Sequence, residues 1–111
     1  MKIKVKSNSE MDTVVLQGEL DFQTVSDLRN ELQKLSVRKV PKILVDLKDV
    51  SYIDSSGLAA FVEFHQQIKK YGGKTAFFNL SEGVRNVFRI SKLDSVFPLA
   101  PTEKEALSLL V

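Results

Sequence analysis

The stretch VSYIDSSGLAAF, residues 50–61, decides the fold. An apolar, β-branched run ends at Ile53. Asp54, Ser55, Ser56 and Gly57 follow, and a helical apolar pattern begins at once. That is the signature of a strand delivering the chain to a helix N-terminus. Through residue 71, Leu58, Phe61, Val62, His65 and Ile68 fall on one side of the helix, with Phe64 at the border. Ala59, Glu63, Gln66 and Gln67 fall on the other. The glycines of YGG at residues 71–73 close the helix.

The same logic extends in both directions. KIKVKSN (2–8) alternates charge and apolar residues, as a half-buried strand does, and a polar turn over residues 7–12 leads to DTVVLQGELD (12–21), a second strand pairing back on it. The three lysines of the first strand argue against open-edge pairing. Thr24 reads as the N-cap of a helix carrying Val25, Leu28, Leu32 and Leu35, and Pro41 ends that pattern before the buried run KILVDL. After residue 73, KTAFFNL reads as a strand and SEGVRNVFRI as a short helix with Val84, Val87 and Phe88 inward. SVFPLA reads as an edge strand, because Pro98 suits an edge, and TEKEALSLLV as a closing helix capped by Thr102. Strands alternating with helices predict one α/β domain over residues 1–111, with a mixed central sheet of four to five strands and about four helices.

The totals narrow the function. In 111 residues there is no cysteine and one histidine, which excludes disulfides and thiolate chemistry and disfavours a His-based zinc site or a Ser-His-Asp triad. A formal charge of +2 leaves no electrostatic footprint for direct nucleic-acid binding. With no run long enough to span a membrane and no signal-peptide pattern, the expectation is a cytoplasmic protein without a membrane partner. GGKT (72–75) ends like a phosphate-binding loop, but Ile68 stands at the earlier glycine and the segment runs from helix to strand. No cofactor or metal is expected, and His65 reads as a packed histidine.

The candidate site is the junction itself. One short polar side chain suffices to cap a helix, worth around 1 kcal/mol, and most such clusters are caps. Here three polar residues stand in a row, and Gly57 within the first turn costs roughly 0.5–1 kcal/mol of helix stability, which points to a close approach to the backbone. A phosphate on a serine there would meet unpaired helix N–H groups and add a charge of roughly −1.5 to −2. Asp21 ends the earlier strand in GELDFQT; if the two strands are neighbours, Asp21 and Asp54 share one end of the sheet. Asp21 could equally serve a turn.

GELD (18–21), VDLKDVSYIDSSGLAAF with IKKYGG, and NLSEGVRNVFRISKLDSVFPL together resemble the bacterial anti-sigma-factor antagonists, stand-alone members of the STAS domain family. The likeness covers nearly the whole chain, and D-S-[ST]-G-L is its specific part. The resemblance implies that Ser55 is phosphorylated by an anti-sigma factor that is also a serine protein kinase, with Ser56 the lesser candidate. The unphosphorylated form would bind that kinase and free the sigma factor, and a serine phosphatase would restore it. It assigns Asp21, Thr24, Asp54, Ser56, Gly57, Ala59, Ala60 and Glu63 to the docking surface, with Gly57 admitting the partner's nucleotide-bearing face. Ala59 stands where many relatives carry the second glycine of G-L-G, and Glu63 where a small residue is common. The protein is then a substrate and switch, not an enzyme. The alternatives are a STAS scaffold of a stress-sensing or lipid-transport assembly without a phospho-switch, and a nucleotide-binding protein or hydrolase using Asp21 and Asp54.

Overall fold

The computed structural model describes residues 1–8 and 10–111; Ser9, inside the expected polar turn, lies outside them. Five strands, β1 (Lys2–Ser7), β2 (Asp12–Leu20), β3 (Lys42–Ile53), β4 (Lys74–Phe78) and β5 (Leu99–Ala100), form one sheet in sequence order. β1 is antiparallel to β2, and β2 through β5 run parallel. Helices α1 (Val25–Val37), α2 (Ser55–Lys70), α3 (Glu82–Ile90) and α4 (Glu103–Leu109) follow β2, β3, β4 and β5. A short 3-10 turn at Leu93–Ser95, unforeseen from the sequence, connects α3 to β5.

Alternation along the strands assigns the helices to two faces. Ile43, Val45, Leu47 and Phe77 join α1, α2 and α3 in the larger apolar cluster. Leu44, Ala76 and Phe78 turn the other way, where Ala106 of α4 and Leu110, which caps it, cover them. Phe61, Phe77, Phe88 and Phe97, from four separate segments, interlock at the centre: Phe61 meets Phe77 edge-on at 5.2 Å between ring centres, and Phe77 meets Phe97 at 5.1 Å.

Two expectations shift. SVFPLA contributes only Leu99–Ala100 as strand, since the 3-10 turn takes residues before Phe97. On α2, Phe64 is fully buried rather than at the border, while Val62 and His65 are half-buried. The buried stripe is wider because α2 packs against α1 as well as the sheet, with Leu32 of α1 near Ala60 and Phe64. α2 ends as expected: Gly72 at φ 84° lets its N–H reach Lys69 O at 3.0 Å and Gly73 N–H reach Ile68 O at 3.0 Å.

His65 is packed, as read. Its Nδ1 lies 2.9 Å from Thr75 Oγ1 and its ring edges onto Phe97. Burial, and secondarily Lys69, holds the imidazole below its ordinary pKa of 6.5. The unfolded chain therefore takes up this proton at a higher pH than the folded one. Stability contributed by neutral His65 is present above pH 6.5 and declines as pH falls through and below it. Thermal melts between pH 5 and 7.5 should show a downward slope toward acid that His65→Gln flattens; an unchanged slope would refute the assignment.

Candidate functional site

The site forms where the carboxyl ends of β2 and β3 lie side by side, Leu20 paired with Ile53. Asp54 N–H donates to Leu20 O at 3.1 Å, so the strand pairing continues to the very junction. Asp54 is the N-cap of α2, in extended conformation, and its Oδ1 accepts from Ser56 N–H at 2.9 Å and Gly57 N–H at 3.1 Å. Its Oδ2 accepts from Phe22 N–H at 3.1 Å, across the sequence gap. One carboxylate thus ties the two strand–helix junctions together.

Asp21 repeats the arrangement on the neighbouring strand. Its Oδ1 accepts from Gln23 N–H at 2.9 Å and Thr24 N–H at 3.1 Å. This corrects the expectation for Thr24, which stands at the cap position of α1 but makes no side-chain cap bond. Its hydroxyl faces back, donating to Glu19 O at 2.9 Å and accepting from Asp21 N–H at 3.0 Å. The turn begins at Asp21, so the acid supplies the cap and the threonine braces the strand end.

Ser55 is the first residue of α2; its side chain is exposed, and its hydroxyl has no hydrogen-bond partner among the described residues. Ser56 is half-buried. Because Asp54 already occupies the N–H groups of Ser56 and Gly57, the helix end is not the open anion cradle expected from the sequence. A phosphate on Ser55 would stand at the exposed start of α2, one residue after the capping carboxylate of Asp54.

Two assigned contact residues face inward. Ala60 is 2% exposed and sits against α1, where it cannot touch a partner. Gly57 is buried too: a Cβ there would lie 2.6 Å from Leu20 Cγ and 2.9 Å from Ile53 Cγ1. The glycine is required by helix–sheet packing, not by an approaching partner. Ala59 and Glu63 are exposed, as read, and Glu63 is paired with Arg29 of α1 at 3.2 Å. Such an exposed pair contributes little to stability but holds the side chain in place.

The structure adds two aromatics that the sequence reading passed over. Phe22 is 72% exposed and Tyr52 is 52% exposed, flanking the acids. Phe22 was legible as an apolar residue inside a polar turn. Tyr52 was not, because a register shift at Gly18/Glu19, with Gly18 at φ 116°, reverses the phase of the strand pair and turns Ile53 inward instead.

This fold, with a capped serine-bearing junction at one end of a five-stranded mixed sheet, defines a class: residues 2–106 match the STAS domain family, and the chain belongs to it. It is 34% identical over 100 residues to the anti-sigma-B factor antagonist of Bacillus subtilis, covering 90% of this chain and 91% of that one. The structure of an anti-sigma factor antagonist from Mycobacterium paratuberculosis superposes with a TM-score of 0.90 at 24% identity, over 98% of this chain and 92% of that one. The Bacillus cell fate determinant SpoIIAA in its phosphorylated form superposes at 0.73 with 26% identity, over 96% and 97%. No helix among the described residues is long and apolar enough to cross a membrane.

Proposed function

We propose that this protein is a cytoplasmic anti-sigma-factor antagonist switched by phosphorylation of Ser55. Its unphosphorylated form binds an anti-sigma factor that is also a serine kinase, releasing the sigma factor. Phosphorylation ends that binding, and a serine phosphatase resets it. The protein itself is the kinase's substrate and not an enzyme. The observation that carries this reading is the position of Ser55: an exposed hydroxyl on the first turn of α2, next to an aspartate locked by three backbone N–H groups. The likeness to proteins named anti-sigma factor antagonists supports it. The docking surface comprises Asp21, Thr24, Asp54, Ser56, Ala59 and Glu63, joined by Phe22 and Tyr52.

The switch is electrostatic. A phosphoserine adds a charge of roughly −1.5 to −2 beside Asp54 and Asp21, which alters the docking surface while the backbone stays as it is. Amide chemical-shift changes on phosphorylation should be confined to residues near 21–24 and 52–60; changes spread through the sheet would contradict this.

The deciding experiment is intact mass after incubation with the organism's candidate anti-sigma kinases and ATP, for wild type and Ser55→Ala. One added phosphate that disappears in the variant supports the reading and identifies the kinase. Tight binding to a candidate with no added phosphate would refute it in favour of a STAS scaffold whose acids and serines only cap a helix.

A further inference from the structure

The free edge of the sheet at β1 carries two complementary features on its opposite faces. On one face stand Lys2, Lys4 and Lys6, all exposed and spaced about 6.7 Å apart, as alternate strand residues are. Their cross-strand neighbours are Gln17, Val15 and Thr13, which are neutral, and none of the three lysines is ion-paired with a described residue. On the other face Met1, Ile3 and Val5 are only half-buried, because α1 stands back from the edge strand. An open groove of about 1080 Å³ remains between them and α1, whose wall carries Leu35 and the 72% exposed Val37 among polar and charged side chains, Asn30, Gln33 and the ion-paired Glu31 and Lys34 included. Between these two faces runs the unpaired backbone edge of β1.

We propose that this edge receives an extended partner segment alternating acidic and apolar residues, added as a sixth strand. Each element of that pattern has a counterpart on β1. An added strand shares the period of two, so its side chains at alternate positions face the lysine row and those between face the groove. Opposite charges directly across a strand pair are favourable and like charges are not. A second copy of this chain is the poorer occupant: pairing β1 with β1, groove faces on the same side, sets lysine against lysine, and reversing one copy sets its lysines against the apolar row of the other. The lysines that protect the edge from self-association thereby select an acidic strand. This inference does not depend on Ser55 and is measured without kinase or ATP.

The probe is a fluorescein-labelled Ser-Glu-Val-Glu-Val-Glu-Ile-Ser peptide, compared with its counterpart carrying lysine for each glutamate, in anisotropy titrations with the whole chain. The acidic peptide should bind and the basic one should not, and amide exchange of residues 2–7 should slow in the complex. Lys4→Glu should weaken binding about tenfold, since one favourable cross-strand pair becomes repulsive. Val37→Glu on the groove wall should also weaken it. Both positions are exposed, and unchanged melting curves will show that the fold is intact. Equal binding of the two peptides, indifference to Lys4→Glu, or unslowed β1 amides would overturn the proposal.

Discussion

Phe61→Ala should lower the stability of the fold by about 3–5 kcal/mol, the range for removing a fully buried aromatic ring. Phe61 has no exposed surface, lies on the inward face of α2, and contacts Phe77 of β4 and Phe88 of α3. Its removal leaves a cavity bounded by rings that are themselves held by Phe97, so the neighbours have little freedom to close in. For a domain of this size the loss corresponds to a fall in Tm of roughly 12–20 °C. Calorimetry or urea unfolding measures it directly. The consequence reaches the site, because Phe61 anchors the helix whose first turn bears Ser55. A loss below about 1 kcal/mol would mean that the aromatic cluster is loosely packed.

Gly57→Ala should also destabilise, although alanine is the better helix former. The gain in helix propensity is roughly 0.5–1 kcal/mol. Against it, the new Cβ would lie 2.6 Å from the Cγ branch point of Leu20, which is fully buried and cannot swing aside. Overpacking of this kind costs about 1–3 kcal/mol and, against a core residue that cannot move, falls in the upper part of that range, leaving a net loss of up to about 2.5 kcal/mol. Leu20→Ala removes the two nearest obstructing atoms and leaves Ile53 Cγ1, so the double variant should be more stable than the two single losses added together. If Gly57 served only a partner's approach, the substitution would stabilise the isolated protein and impair binding alone. Urea unfolding of the four proteins separates these outcomes.

The glycine marks the limit of what the chain discloses by itself. A glycine inside a first helical turn is visibly costly, and the sequence reading attributed it to a partner. The true reason, Leu20 and Ile53 pressing against the helix backbone, lies 37 residues away in the chain for Leu20 and depends on β2 and β3 being neighbours. The same adjacency made the pairing of Asp21 with Asp54 conditional until the sheet order was known. Phe64 was left at the border of the helical wheel, and Ala60 was assigned to the docking surface, for a related reason: a wheel ranks one face, whereas α2 buries a second against α1. Tyr52 was hidden by a register shift that no period-two pattern can reveal.

Local physics, by contrast, was written in the order of residues. Period-two alternation, short apolar runs and helical spacing marked the four major strands and all four helices, because each element must bury apolar surface in its own geometry. The polar run after Ile53 determined that a helix begins there, and the D-S-S-G-L core carried the family. Tertiary structure alone decided which residues at that junction can be reached. It turned Ser55 outward and Gly57 and Ala60 inward, gave Asp54 its bond to Phe22, and left β1 at an open edge. The reason is that exposure and long-range hydrogen bonding are set by what packs on each face, and those neighbours come from distant parts of the chain.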